Sequence, residues 1–200
     1  SEDYLGLDYP PEMIDACRRR YPKQRFVLGD ARHMPEIADG SIALVMFSAN
    51  GICMVSHEDR LAILREIHRV LRPGGAAVLS TYNQHSRDES AGFQWPEFHF
   101  SANPLRLAVR AARFVRSVAV RRANWARLRD HVVRTPEYSM INDVCHDYGV
   151  MLYYISLENQ RRQLEACGFL PGAEAFDHAG RRMERENDEN DYGIVARKPG

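Results

Sequence analysis

Two aspartates stand where a carboxylate can do chemistry. Asp8 closes the short apolar run Tyr4-Leu5-Gly6-Leu7, and Asp30 follows Arg25-Phe26-Val27-Leu28-Gly29, 22 residues later. In an open α/β sheet, ligands bind beyond the carboxyl ends of the strands. A carboxylate there accepts hydrogen bonds from both vicinal hydroxyls of a ribose. A second one can accept from the exocyclic amine of an adenine, with the N–H of Ala31 available to a ring nitrogen. Ser48-Ala49-Asn50-Gly51 ends a third apolar run, Ile42 to Phe47, and a small glycine-containing turn lets a ligand approach backbone closely. Either aspartate alone also reads as an ordinary turn or helix cap. Two at successive strand ends, with a proline-started helix between them, point to a nucleoside site.

The elements that must position these residues follow α/β grammar. Pro10-Pro11 opens a helix carrying Met13, Ile14 and Cys17 at helical spacing and ending on Arg18-Arg19-Arg20, charges that suit a helix C-terminus. Ser56, with Asp59 three residues on, caps a second helix whose face carries Leu61, Leu64, Ile67, His68 and Leu71. Pro73-Gly74-Gly75 is expected to stop it, with Ala76 to Ser80 as the next strand. The grammar breaks near Tyr82. Leu105 to Leu128 reads as an arginine-rich helix with no acid until Asp130, and its Leu107, Ala111, Phe114, Val118 and Trp125 fall near one side. The pattern resumes with a helix from Ser156 to Cys167, stopped by Gly168, and with strands expected at Phe169–Phe176 and Tyr192–Ala196. Residues 1–83 and 155–200 therefore form an α/β core, and 84–154 a mainly helical cap.

Length and charge bound the rest. The chain has 200 residues, 27 Lys+Arg against 27 Asp+Glu, and 44% hydrophobic residues, the make-up of a globular domain. Zero net charge argues against a chain that coats nucleic acid by charge alone, although the sum hides the basic cap and an acidic stretch holding Glu184, Glu186, Asp188, Glu189 and Asp191. No apolar run reaches the roughly 20 residues of a transmembrane helix. Cys17, Cys53, Cys145 and Cys167 form no C-x-x-C, which suits reduced thiols and a cytoplasmic location. Asp143-Val-Cys145-His146-Asp147 fits no common zinc spacing, so no metal is expected.

The chain resembles the class I S-adenosylmethionine-dependent methyltransferases. Tyr4-Leu-Gly-Leu-Asp8-Tyr-Pro-Pro-Glu-Met13 looks like their second-strand motif, and Arg25-Phe-Val-Leu-Gly-Asp30-Ala-Arg-His-Met-Pro35 like the next. Ile63-Leu-Arg-Glu-Ile-His-Arg-Val-Leu-Arg-Pro-Gly-Gly75 resembles the helix and turn before their fifth strand, the most specific of the matches. Tyr153-Tyr-Ile-Ser and Leu164-Glu-Ala-Cys-Gly-Phe169 match the helix before their last two strands, and Phe47-Ser-Ala-Asn-Gly51 a bacterial subgroup. The resemblance implies a Rossmann-like sheet with helices on both faces and a helical insert after the family's fifth strand. It implies S-adenosylmethionine as cofactor, held by Asp8, Tyr9, Met13, Asp30, Ala31, Arg32, Ser48 and Ala49. Two departures stand out. The family's first strand and Gly-rich loop are absent before Tyr4, so the sheet is expected to lack its N-terminal strand and keep unpaired inner edges, as if a front segment were missing. Ala43 stands where the family has Asp.

Methyl transfer from a sulfonium is an in-line displacement that demands alignment and exclusion of water more than a fixed acid or base. Asn50, Tyr82 and His85 are the candidates facing the methyl, with His85 able to deprotonate an acceptor. Asn83, Tyr153 and Tyr154 are candidates for the substrate side. His85 also reads as a solvated loop histidine, and the tyrosine pair as core. A small-molecule O or N acceptor is the expected substrate, and a homodimer is compatible with the sequence. A non-catalytic methyltransferase-like binding domain is the alternative. A nicotinamide oxidoreductase is disfavoured because G-x-G-x-x-G and Tyr-x-x-x-Lys are absent. An RNA methyltransferase would use the arginine helix, for which no RNA-binding module is present. That helix otherwise reads as a cap over substrate, a surface for anionic lipid, or a solvated face paired with the acidic loop.

Overall fold

The computed structural model describes residues 4–86 and 92–200. β1 (Leu5–Asp8) leads into α1 (Pro11–Arg20), which starts on Pro11 and sinks Ile14, and returns to β2 (Arg25–Leu28). β3 (Ile42–Phe47) leads to α2 (His57–Val70), where the Ser56 hydroxyl accepts from the Asp59 N–H at 3.1 Å. Ile63, Leu64, Ile67 and Val70 recur at helical spacing and are buried.

β4 (Leu71–Asn83) begins directly after α2. The helix therefore ends at Val70, and Pro73-Gly74-Gly75, expected as a helix stop, lies within the strand. The reason is close backbone approach. Gly74 has φ 72°, and a Cβ on Gly75 would lie 2.9 Å from the Arg72 carbonyl and 3.1 Å from that of Ala43. The ladder between β3 and β4 shifts register between Ile42 and Leu44, beside these glycines. Lys198 closes the helix end, its Nζ donating to the carbonyls of His68 and Leu71 at 2.8 Å each.

α3 (Pro104–Leu128) is followed by β5 (Val133–Arg134), β6 (Tyr138–Asn142), β7 (Met151–Ile155), α4 (Leu157–Ala166), β8 (Glu174–Phe176), β9 (Arg182–Met183) and β10 (Asp191–Arg197). Phe169 to Ala173, expected in strand, run as a loop into the short β8. The larger sheet has the order β5-β6-β7-β4-β10-β8-β9, with β3 also on β4. β3 runs parallel to the first part of β4, and β7 pairs parallel with its end at Tyr82 and Asn83. β10 is antiparallel to β4 and β8. The core of this sheet holds Leu64, Ile67, Leu79, Ile155, Leu164 and Ile194.

β1 and β2 pair parallel with each other as a separate two-stranded sheet. Among the described residues, β1 bonds no strand but β2, and β3 none but β4, so each keeps an open edge toward the other. Leu5 and Leu7 join Ile42 and Val45 around Met34, Ile37 and Val70, which is what holds the small sheet to the large one.

Candidate active site

The ends of β1, β2 and β3 and the start of α2 enclose a cleft of about 480 Å³. Asp8, Tyr9, Asp30, Ala31 and Arg32 line it from the small sheet; Phe47, Val55, Asp59 and Ile63 line it from the large one. Its walls are mostly apolar, with carboxylates at the rims, a lining that suits a nucleoside.

The Asp8 carboxylate accepts the Tyr9 N–H on Oδ1 at 2.8 Å, which fixes its orientation and leaves Oδ2 without a partner among the described residues. Asp30 is engaged differently. Arg32 donates to it from its backbone N–H at 2.9 Å, from Nε to both oxygens, and from Nη2 at 2.6 Å. The same guanidinium reaches Asp59 Oδ1 at 3.2 Å. Arg32 therefore clamps the second aspartate and ties β2 to α2, holding the Asp30 carboxyl below its ordinary pKa through those hydrogen bonds. Arg32 brings three N–H groups, its Nε–H shared between the two oxygens, against the roughly four acceptor sites of a carboxylate, which leaves about one for a ligand amine.

Tyr9 and Met13, 72% and 51% exposed, stand at the open side of the small sheet, Met13 outside the cleft lining. Ser48 and Ala49 are exposed and also lie outside the lining. Ala49 and Asn50 both adopt left-handed backbone, with φ 56° and 53°. That turn sends Asn50 back against the sheet. Its N–H donates to Ser80 Oγ at 2.8 Å and its carboxamide to Asp191 Oδ2 at 2.7 Å. Tyr82 lies opposite Asp191 in the β4–β10 register, and burial raises its pKa. His178 meets the other Asp191 oxygen at 2.5 Å. Asn50, Tyr82, Asp191 and His178 thus form one polar cluster at the strand ends. The sequence pattern points to the first two only. Asp191 reads there as one acid among several, and His178 has no motif around it.

The other substrate-side candidates are turned away. Tyr153 and Tyr154 are 0% and 1% exposed and form core rather than a wall. The Tyr154 hydroxyl donates to buried Asp143 at 2.8 Å, so that aspartate serves packing. The Tyr153 hydroxyl bonds His57 Nδ1 at 2.8 Å, and its ring carries the Arg60 guanidinium 4.6 Å from its centroid. Asn83 is 1% exposed and spans the acidic loop, donating to the carbonyls of Asn187 and Glu189. His85 pairs with Glu186 at 3.0 Å, beside the start of α4 and outside the cleft lining. For Tyr153, Tyr154 and Asn83 the corrections share a cause: β7 enters the sheet beside the end of β4, so residues that would face ligand at a sheet edge become interior.

Residues 1–75 match the methyltransferase domain family. The fold is similar to that of the methyltransferase CcbJ of Streptomyces caelestis, with TM-score 0.59 and 13% identity over 98% of this chain and 74% of that one. Over residues 1–75 the chain is thus similar to a methyltransferase domain, and over nearly its whole length it has the class I methyltransferase fold. The 1,6-didemethyltoxoflavin-N1-methyltransferase of Burkholderia thailandensis, solved with S-adenosylhomocysteine, also shares the fold, with TM-score 0.52 and 12% identity over 98% of this chain and 61% of that one. Among curated relatives, the demethylmenaquinone methyltransferase of Chlorobaculum parvum is 39% identical over 74 residues, 37% of this chain and 29% of that protein. The human thiol S-methyltransferase TMT1A is 43% identical over 61 residues, 30% of this chain and 24% of that protein. The matched part of this chain thus spans less than a third of either relative.

Proposed function

We propose that this chain is an S-adenosylmethionine-dependent methyltransferase acting on a small-molecule O or N acceptor. The observation that carries the proposal is the meeting of Asp8 and Asp30, from adjacent strand ends, in one cleft of about 480 Å³. The unpartnered Oδ2 of Asp8 fits a ribose hydroxyl, and the apolar surfaces of Leu7, Phe47 and Ile63 fit an adenine ring. Relatives named for a demethylmenaquinone and a thiol support a small acceptor. The four cysteines are free, and no helix among the described residues is long and apolar enough to cross a membrane, which supports a cytoplasmic protein.

S-adenosylmethionine, when bound, supplies an electrophilic methyl group on a positively charged sulfur. Asp8 orients the ribose, and Asp30, kept ionised by Arg32, accepts from the adenine amine. Asn50 and Tyr82 stand at the ends of β3 and β4, where the acceptor must approach. Tyr82, its pKa raised by burial, keeps its proton at neutral pH and positions the acceptor by hydrogen bonding rather than as a base. Both open edges, on β1 and β3, suit a parallel strand seated between them.

Calorimetry with S-adenosylhomocysteine tests the proposal, on this chain and on an N-terminally extended form. Saturable one-to-one binding by either form supports it. Binding only by the extended form assigns part of the cradle to the added strand. No heat from either sinks the enzyme reading in favour of a non-catalytic domain.

A further inference from the structure

We propose that the outward face of α3 docks the protein on an anionic membrane surface. Within its 25 residues α3 carries seven arginines and no acidic residue, and none of its side chains is buried. The inner side is held in place. Phe114 packs edge-on against Phe98 at 5.3 Å, Trp125 against Tyr148 at 5.1 Å, and Arg121 bonds Asp147 at 2.8 Å. At 100° per residue, the opposite side gathers Leu105, Val109, Ala112, Ala119, Val120 and Ala123 on one face, interrupted by Arg116 and Arg127.

That face is turned to solvent. Leu105 is 75% exposed, Val109 46% and Val120 40%. Arg106 and Arg113 flank it on one side, and Arg116 lies within it; the guanidinium of none of these three has a hydrogen bond or ion pair to a described residue. On the other flank Arg122 sits 5.9 Å over the ring of Trp95, itself 60% exposed. Phe100, 75% exposed, lies at the helix N-terminal end, where Arg110 donates to its carbonyl at 2.7 Å.

Charge complementarity chooses the occupant. Unpaired arginines beside an apolar stripe, with Trp and Phe at the margins, match a helix lying at the headgroup level of an anionic bilayer. Arginine stems run along the apolar surface while their heads stay among the phosphates. A nucleic acid would satisfy the arginines but leave Leu105, Val109 and Val120 in water, so it fits the surface less well.

The test is vesicle co-sedimentation of the 200-residue chain. Vesicles of phosphatidylcholine containing about 30 mol% phosphatidylglycerol should pull it down, vesicles of phosphatidylcholine alone should not, and added salt should release it. The triple variant R106Q/R113Q/R116Q should lower partitioning about a hundredfold, at about fivefold per arginine. Those side chains are exposed, so an unchanged far-ultraviolet circular dichroism spectrum verifies that the variant is folded. Trp95 emission should shift to the blue on the anionic vesicles, and W95F should remove that shift. Equal sedimentation with neutral vesicles, no sedimentation with anionic ones, or unchanged partitioning of the triple variant would overturn the proposal. So would binding to a labelled single-stranded RNA by a chain that ignores the anionic vesicles.

Discussion

β1 and β2 bond only each other among the described residues and meet the rest of the chain through Leu5, Leu7 and the Arg32–Asp59 pair that follows β2, whereas β4 is paired along both edges and covered by a continuous core. Their arginines differ in the same way. Arg32, on the small sheet, is exposed and bridges two carboxylates at the rim of the cleft. Arg60, under the large sheet, is 0% exposed and has no carboxylate partner among the described residues. Its guanidinium is satisfied by the side-chain oxygens of Gln160 and Gln163, by Thr81 Oγ1, by the carbonyl of Ile52 and by the ring of Tyr153. The lesson is a division of labour. The well-packed half supplies stability and holds the turn after β3 in place through Ile52. The ligand-facing half is sparingly held, as sites that must open usually are. A two-stranded sheet is marginal on its own, so this one gains most from anything that binds its strand ends.

The contrast can be broken most sharply by exchanging the two arginines' fates. Arg60→Met strands several buried oxygens and should cost about 3 kcal/mol in urea unfolding. A loss under about 1 kcal/mol would show that the buried network is dispensable. Alkali should attack the same half. Tyr153 has its pKa pushed up to about 12 by burial, and burial raises Tyr154 and Tyr192 as well. A folded pKa above the unfolded value near 10 means that the folded state holds the proton more tightly. The stabilisation is whole below about pH 10 and falls as pH rises beyond it, by about 1.4 kcal/mol per unit for each such phenol until its folded pKa is reached. Urea midpoints measured through this range should drop steeply, and a flat profile would contradict the burial of these rings.

Hydrogen exchange sharpens the comparison from the other side. The amides of β1 and β2 should exchange well before those of β4 and β10, and ligand should slow them selectively. Uniform protection would mean that the small sheet is no weaker than the large one. The smallest effect belongs to the rim. Arg32→Gln should change stability by less than about 1 kcal/mol, because an exposed pair is screened by water. What Asp30 gains from Arg32 is present above the ordinary carboxylate range and lost as pH falls through its lowered pKa.

The two halves also differ in how far their sequence discloses them. Asp8 and Asp30 announce themselves because each closes a short apolar run, and a strand end is a local feature. Arg60, Asp191 and His178 are silent. Their partners lie far along the chain, Gln163 103 residues from Arg60 and Asp191 141 residues from Asn50. No periodicity encodes such pairings. Tyr153 and Tyr154 mislead for a related reason: whether a strand is edge or interior depends on what pairs with it, here β6 and β4 on either side. Pro73-Gly74-Gly75 reads as a helix stop because the need for glycine arises from the β3 backbone, not from the helix.

The central claim is that Asp8 holds a ribose at the end of β1. Isothermal titration with S-adenosylhomocysteine on whichever form binds, compared with its Asp8→Ala variant, tests it directly. The account predicts that the variant stays folded and binds more weakly by about 1–3 kcal/mol, the cost of losing hydrogen bonds to a charged acceptor. Equal affinity in the two proteins would contradict it.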